Sequence, residues 1–300
     1  MNPPKTCIII AGPTAVGKTS VAIQLAQTFK TEIISADSRQ CYKELNIGVA
    51  KPSPEELTLV HHYFINSHSI FEDVNAAVFE QYALNAIEEI FATHDVAVMV
   101  GGTGLYIKAF CEGMDEVPVI DEDIRKKIID EYETSGIEWL QREIEKKDPL
   151  FFSKGEMKNP QRMMRALEVR LSTGRSIMDF HKQKKKLRPF KIIKIALELP
   201  REQLVKNIDH RVDEMMNDGL LGEVKQLLPH KDLNALQTVG YRELFDHLEG
   251  RCSLEAAVEA IKINTRQYAK RQMTWFKKNK EFIWCEPGLS SVLSKISHPL

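Results

Sequence analysis

The sequence predicts an α/β fold in which a parallel sheet forms the core and an all-helical segment interrupts it. Short apolar runs alternate with helix-like segments over the first third of the chain, which is typical of parallel βαβ units. A glycine-rich turn joins the first run to the first helix. Strand signals stop at about residue 117 and resume only after residue 186. We therefore expect a core at 1–116 and 189–300 around a helical insertion at 117–188.

Individual strands and helices follow from the spacing of apolar residues. The predicted strands are 7–11, 32–36, 96–100 and 190–199. The predicted helices run to about Phe29, over 75–91, and, in the insertion, over 123–135, 137–147 and 159–173. Asn159 and Pro160 form a good helix start, because asparagine caps the first turn and proline suits the first helical position. The last third is predicted to be mainly helical.

Composition excludes several classes of protein. With 43% hydrophobic and 28% charged residues, the chain of 300 residues has the balance of a globular protein, and no apolar run is long enough to cross a membrane. Its first residues enter a strand-like segment directly, unlike a signal peptide. Five scattered cysteines without a CxxC pair predict neither a zinc site nor a disulfide framework. We expect a monomer in the reducing cytoplasm.

The net charge of −1 gives no hint of a nucleic-acid partner, but the basic residues are clustered. Residues 261–280 carry seven Lys or Arg and no acid, and residues 182–191 carry six and no acid. Lys262, Arg266 and Lys270 repeat every fourth residue, which predicts a stripe on one helix face. Each stretch is either a solvated face or a site for a polyanion, and charge alone does not decide between them.

Residues 12–19 match the phosphate-binding pattern G-x-x-x-x-G-K-[ST] between a strand and a helix. Loop amides and the helix N-terminus would point at bound phosphates, Lys18 would add a positive charge, and the Thr19 hydroxyl could hold Mg²⁺. The predicted phosphate-binding residues are Gly12, Pro13, Thr14, Ala15, Val16, Gly17, Lys18 and Thr19. The pattern indicates a polyphosphate group without naming it.

Asp37 is the carboxylate that the sequence places at a strand end beside this loop. An ATPase or GTPase needs such an acid near Mg²⁺, but the strand 96–100 ends in glycines and a threonine instead. On local features alone, Asp37 is a helix cap or a Mg²⁺ ligand as readily as part of a polar ligand site. A nucleotide or small-molecule kinase therefore stays open at this point, as does a non-catalytic RNA-binding module.

Several longer strings appear in a set order along the chain. They are residues 12–19, 37–40, 48–52, 61–62, 101–106, 159–162, 165–169, 239–241 and 265–275. With these strings the sequence closely resembles the tRNA dimethylallyltransferase (isopentenyltransferase) family from Thr6 to about Lys280. The box Asp37-Ser38-Arg39-Gln40 and the string at 265–275 are more specific than the phosphate loop. No Cys/His pairs follow Trp275, so the chain resembles the compact bacterial members, which lack a zinc finger.

The resemblance implies a P-loop NTPase-like core with helices on both faces and an insertion that contacts the anticodon stem-loop of tRNA. It implies transfer of a dimethylallyl group from dimethylallyl diphosphate to N6 of the adenosine 3′ to the anticodon. The phosphate loop with Thr19 predicts Mg²⁺ as cofactor. The implied catalytic residues are Asp37, Thr103 and Arg211. The residues implied to contact tRNA are Asp37, Ser38, Arg39, Gln40, Thr103, Arg125, Gln161, Arg162, Arg165, Gly240, Tyr241, Arg242, Arg266, Lys270, Arg271 and Gln272.

Chemistry supports a role for Asp37 within that resemblance. The exocyclic amine of adenine is a weak nucleophile that becomes acidic as it attacks, so a carboxylate within hydrogen-bond reach assists the transition state. Thr103 would hold the base and Arg211 would stabilise the diphosphate. The alternative for Arg211 is a surface ion pair with Asp213 or Glu214.

Two strings depart from the family pattern. Val49 stands where the family usually has threonine, and residues 63–65 stand where it often has Leu-Ile-Asp. His61 and His62 are predicted to be structural, because no orienting partner is near them in the sequence. For Tyr268 and Trp275, packing in the core is the alternative to contact with RNA.

Overall fold

Parallel strands make the sheet that positions the site. The computed structural model describes residues 4–115, 120–180 and 185–296. In these ranges the sheet has six strands in the order β3-β2-β4-β1-β5-β6, and every neighbouring pair is parallel. The strands are β1 Thr6–Ala11, β2 Ile33–Ser35, β3 His62–Tyr63, β4 Val96–Gly101, β5 Lys191–Leu197 and β6 Ile283–Cys285.

Helices pack against the sheet. The chain is divided into two compact units. One unit comprises residues 1–113 and 187–300, and the other comprises residues 114–186, whereas the sequence analysis placed the insertion at 117–188. The helices of the first unit are α1 Lys18–Phe29, α2 Pro54–Leu59, α3 Ala76–Thr93, α4 Gly104–Glu112, α8 Arg201–Asn217, α9 Leu220–Leu227, α10 Tyr241–Leu248, α11 Leu254–Lys278 and α12 Leu289–Ile296. The helices of the second are α5 Glu122–Lys147, α6 Pro149–Lys154 and α7 Pro160–Thr173.

Side-chain alternation along β1 explains why helices pack on both faces of the sheet. Ile8 and Ile10 belong to a buried cluster with residues of α1 and α12. Cys7 points to the other face, where burial, with a smaller contribution from Cys111 of α4, raises the pKa of its thiol. Helix α3 packs on α4 and on β2 and β4. The strands are therefore apolar on both faces, as parallel strands usually are.

The carboxyl ends of β1, β2 and β4 meet at one edge of the sheet. Ala11 of β1 is paired with Gly101 of β4, and Ser35 of β2 is paired with Val100 of the same strand. The loops that follow these strands therefore lie side by side, which is where open α/β sheets bind ligands. These loops contain the three polar strings that the sequence analysis singled out.

The insertion has its own core, in which α5 packs on α7. Ile128, Leu140 and Ile144 of α5 are buried against Met163 and Leu167 of α7. Helix α5 is interrupted at Gly136, whose φ of 71° and ψ of −169° are not helical, and this matches the two helices predicted on either side. The Asn159 side chain caps α7, as predicted.

Each predicted strand and helix is present, with ends within two residues of the predicted ones, and two short strands were missed. Strand β3 has only two residues, and β6 lies in the last third of the chain, which was predicted to be mainly helical. No helix in the described ranges is both long enough and apolar enough to cross a bilayer.

Candidate active site

The phosphate loop lies between β1 and α1 and needs glycine at two positions. Gly12 has a φ of 142°, and a Cβ there would lie 2.7 Å from the carbonyl oxygen of Leu197 in β5. Gly17 has a φ of 93° and precedes the first residue of α1. A side chain at either position would strain the backbone. The loop therefore presents the N-terminus of α1, which favours a bound anion.

Two cations meet at this loop. The Lys18 ammonium donates to the carbonyl of Pro13 at 2.6 Å, and the Arg211 guanidinium donates to the Thr14 hydroxyl at 3.1 Å. Burial lowers the pKa of Lys18 to about 7; the positive charge of Arg211 acts in the same direction, and Asp37 opposes both. A bound anion would relieve the repulsion between Lys18 and Arg211, so the pair is suited to a diphosphate.

Arg211 therefore faces the phosphate loop, and the alternative of a surface ion pair with Asp213 is not what the structure shows. Asp213 pairs instead with Lys262 of α11, at 2.6 Å. Burial lowers the pKa of Arg211, and the negative charges of Asp37 and Glu214 act against that shift. The predicted role of Arg211 at the diphosphate agrees with this position.

The polar string after β2 forms the opposite wall. The Oδ1 atom of Asp37 accepts hydrogen bonds from the amides of Arg39 and Gln40, at 2.9 and 3.2 Å. Asp37 thus caps a turn and not a helix, which was one of the alternatives above, and it also lines the cavity beside Lys18. The Ser38 amide donates to the Thr103 hydroxyl at 3.1 Å, which joins this string to the loop after β4.

One cavity of about 290 Å³ unites these groups. It is lined by Thr14, Ala15, Gly17, Lys18, Thr19, Ser20, Ser35, Asp37, Gln40, Val49, Ala50, Lys51, Pro52, Glu56, Val100, Gly101, Gly102, Arg211, Tyr268 and Gln272. Lys18 and Arg211 are hydrogen-bonded to the phosphate loop, Asp37 follows β2, and Lys51 and Glu56 add a further cation and carboxylate to the lining. The cavity can therefore hold an anionic leaving group next to a polar acceptor.

Tyr268 and Lys51 line this cavity, whereas the sequence predicted Tyr268 only as an RNA contact or a core residue and did not indicate Lys51. Burial and the charge of Asp37 raise the pKa of Tyr268 to about 12, so its hydroxyl stays a hydrogen-bond donor near Asp37 and Thr103. The Lys51 ammonium donates to the Tyr42 carbonyl and to the side chains of Asn46 and Asn66. Both residues lie in strings quoted above, at 265–275 and 48–52, and those strings were the available signal.

The residues present fit Mg²⁺. Thr19 and Asp37 line the same cavity, and hydroxyl and carboxylate oxygens are ligands that Mg²⁺ accepts together with phosphate oxygens and water. The described residues contain no cluster of three or more acidic, histidine or cysteine side chains that would hold a metal without a ligand. Mg²⁺ binding through Thr19 stays a prediction.

Comparison with known proteins decides the family. The family model described as IPP transferase matches residues 40–279. The chain belongs to this family. It is 43% identical to a protein named tRNA dimethylallyltransferase 1 from Bacteroides fragilis, over 94% of each chain.

Solved structures of the IPP transferase family show the same fold. The full-length tRNA isopentenylpyrophosphate transferase of Bacillus halodurans superimposes with a TM-score of 0.71 at 32% identity, covering 98% of this chain and 95% of that one. A eukaryotic dimethylallyltransferase acting on tRNA superimposes with a TM-score of 0.75 at 32% identity, covering 91% and 70%. The predicted P-loop NTPase-like α/β fold is confirmed.

Residues expected to contact tRNA fall into two groups in this IPP transferase. Arg242, Lys270 and Arg271 are exposed. Tyr241 is fully buried, and its hydroxyl donates to Glu223 at 2.5 Å. Gly240 has a φ of 97° just before α10. A direct contact between tRNA and the Tyr241 side chain would require this region to open.

Two further members of that set are engaged within the protein. The Arg266 guanidinium donates to both carboxylate oxygens of Asp209, at 2.8 and 2.6 Å. Gln272 is buried and hydrogen-bonded to the backbone of two loops. Their contact with tRNA stays a prediction, and the structure gives each of them a partner inside the chain.

In the insertion the predicted contacts lie on α5 and α7. Gln161 and Arg162 are exposed, and Arg162 pairs with Glu156 at 3.3 Å. Arg165 approaches the buried Glu168 at 3.2 Å, and Arg125 approaches it at 4.0 Å. Glu168 thus holds two cations of the predicted RNA-binding set near each other.

Of the two histidines, His62 is buried as a structural role predicts, whereas His61 is exposed, so a structural role for His61 stays a prediction. His62 lies in β3 and is buried, with Nδ1 2.8 Å from the carbonyl oxygen of Val60. Neither His61 nor His62 lines the cavity that contains Asp37 and Lys18. Trp275 is 41% exposed and packs on Gly104, so it belongs only partly to the core.

Proposed function

We propose that this IPP transferase moves a dimethylallyl group from dimethylallyl diphosphate to N6 of the adenosine 3′ to the anticodon of a tRNA and releases diphosphate. The observation that carries the proposal is the shared cavity of Lys18, Arg211 and Asp37. It combines an anion site and a carboxylate in one cavity of about 290 Å³. The relatives named tRNA dimethylallyltransferase support the choice of substrates.

The phosphate loop stabilises the leaving group. As the allylic C–O bond breaks, its electron pair goes to the diphosphate oxygen, and the negative charge there grows. Lys18, Arg211 and the amides at the start of α1 surround that charge with fixed positive ends of dipoles and cations. Groups that are already oriented toward developing charge lower the barrier, since nothing has to reorganise.

Asp37 acts on the acceptor, the N6 amine of the adenosine. The N6 atom forms a bond to the allylic carbon and must lose one proton for the product to be neutral. Both backbone bonds to Asp37 end on Oδ1, so Oδ2 is the oxygen left to take that proton. The Thr103 hydroxyl and the Tyr268 hydroxyl stand beside it as groups that orient the base.

Mg²⁺ would be held by Thr19 with the diphosphate oxygens, and it would supply further charge neutralisation when bound. The adenine must leave the stack of the anticodon loop to reach Asp37, as other enzymes that modify bases require. We expect the insertion to hold the anticodon stem-loop through Arg125, Gln161, Arg162 and Arg165. We expect the protein to act as a monomer in the cytoplasm.

The test is incubation of the purified protein with dimethylallyl diphosphate, Mg²⁺ and an unmodified anticodon stem-loop, followed by mass spectrometry of the nucleosides. We expect one dimethylallyl group on the adenosine 3′ to the anticodon. A stem-loop with inosine at that position is the matched control, because inosine lacks the amine. If neither RNA carries isoprenoid and the protein forms ADP from ATP and a small acceptor, the proposal is wrong and the protein is a kinase.

A further inference from the structure

Gln272 connects two loops of the site through its side-chain amide. The side chain is 7% exposed and extends from α11 toward the carboxyl ends of β1 and β4. Its Oε1 accepts a hydrogen bond from the amide of Thr14 at 2.8 Å, and its Nε2 donates to the carbonyl of Gly102 at 3.0 Å. A buried glutamine is therefore satisfied by one donor and one acceptor from two separate segments.

The space for this link depends on the residue at 102. A Cβ on Gly102 would lie 2.2 Å from Nε2 of Gln272, which is closer than real contacts allow. The two segments follow neighbouring strands, since Ile10 is paired with Val100 and Ala11 with Gly101. Gln272 thus ties together two loops whose strands are already in register.

Each of these loops carries one half of the proposed site. The Thr14 amide donates to Gln272, and the Thr14 hydroxyl accepts a hydrogen bond from Arg211. Thr103, which follows Gly102, receives the hydrogen bond from the amide of Ser38, next to Asp37. The side chain of Gln272 is therefore placed between the diphosphate half and the acceptor half.

We propose that Gln272 is a positioning residue that fixes the distance between the phosphate loop and the Asp37–Thr103 wall. This inference rests on the proposed function. It also removes the Thr14 amide from the set that can bind phosphate, because that amide already donates to Gln272. Transfer between two fixed reactants is sensitive to their separation, and a misplacement of about 1 Å can lower the rate by about 10²-fold.

Two variants distinguish the hydrogen bond to Thr14 from the hydrogen bond to Gly102. Gln272→Met has nearly the same length and makes neither hydrogen bond. Gln272→Glu keeps an acceptor for the Thr14 amide but turns a carboxylate oxygen toward the carbonyl of Gly102. Gln267→Met is the control, because Gln267 is exposed on the same helix.

The first readout is steady-state kinetics of prenyl transfer with each substrate varied. We expect kcat of Gln272→Met to fall by about 10²-fold, with both KM values within about threefold of wild type. Gln272→Glu should also lose rate, and Gln267→Met should not. An unchanged kcat in both Gln272 variants would overturn the inference, and so would a rise in the KM for tRNA alone, which is the mark of a direct RNA contact.

The second readout does not depend on activity. Hydrogen–deuterium exchange of the peptide that contains Thr14 should be faster in Gln272→Met and protected in Gln272→Glu. Equal protection in all three proteins would overturn the link itself. If the wild type makes no prenylated RNA, the proposed function fails, whereas the exchange result still decides whether Gln272 orders the loop. Should Gln272→Met not fold, the Gln272→Glu kinetics decide the positioning role.

Discussion

Arg266 of α11 holds both carboxylate oxygens of Asp209 of α8, and Lys262 holds Asp213 one turn further along the same helix. Between the two acids lies Arg211, which points at the phosphate loop. The ion pairs therefore join the helix that carries Arg211 to the helix that carries Tyr268 and Gln272. Two of the three residues in the predicted basic stripe serve this contact, and Lys270 is exposed.

Salt dependence should separate Lys270 and Arg162, whose ion pair with Glu156 is exposed, from Arg266, whose ion pair with Asp209 is half-buried. Replacing Lys270 or Arg162 by Ala should lower the slope of log affinity against log salt by about 0.7 to 0.9, as for one lost phosphate contact. Arg266→Ala should leave that slope unchanged and lower the melting temperature, at a cost of about 1–2 kcal/mol for its charged hydrogen bonds. Filter binding of an anticodon stem-loop across a salt series measures the first effect and thermal denaturation the second. A smaller slope for Arg266→Ala would show that Arg266 contacts the RNA backbone.

The pKa of Lys18 predicts how diphosphate binding varies with pH. Because burial and Arg211 lower this pKa to about 7, the ammonium is charged below pH 7 and loses its charge above it. Bound diphosphate favours the charged form, so affinity should fall above pH 7 by up to about tenfold per pH unit. Lys18→Met removes this dependence and leaves only the titration of diphosphate, which both proteins share. Calorimetric titrations from pH 6 to 9 compare the two, and parallel curves would contradict the assignment.

Arg211 should act on the leaving group more than on the RNA. Arg211→Gln keeps a hydrogen-bond donor for the Thr14 hydroxyl but removes the charge, and we expect kcat to fall by about 10²-fold. Affinity for the stem-loop should stay close to wild type. Lys206→Gln, at an exposed position of the same helix, is the control for loss of one charge. The same loss in both variants would assign the effect to overall charge.

Glu223 should stabilise the loop that precedes Lys51. Its two carboxylate oxygens accept hydrogen bonds from the amides of residues 46–48 and from the Tyr241 hydroxyl. Glu223→Gln places an amide donor against some of these donors. We therefore expect the free energy of unfolding to fall by about 1–3 kcal/mol for each partner left unsatisfied. Urea denaturation measures this loss, and Lys225→Gln on the same helix is the control. An unchanged midpoint would show that the loop does not depend on Glu223.

Local patterns predicted much of this structure, because the phosphate loop and the longer strands are encoded by contiguous residues. Asp37 and Thr103 could be placed at strand ends for the same reason. The burial of Tyr241 and Gln272 could not be predicted from such patterns, since it depends on distant glycines. Gly48 leaves room for the Tyr241 ring, and Gly102 lies 170 residues from the Gln272 that contacts it.

The most direct measurement is the single-turnover rate of prenyl transfer by Asp37→Asn. This variant keeps an Oδ1 acceptor for the amides of Arg39 and Gln40, so the turn is preserved, but the side chain no longer takes up a proton. With saturating donor and stem-loop we predict a rate lower by about two to four orders of magnitude, as for loss of a general base, with unchanged RNA affinity and melting temperature. A rate within about tenfold of wild type would contradict the account and leave Asp37 as a turn cap.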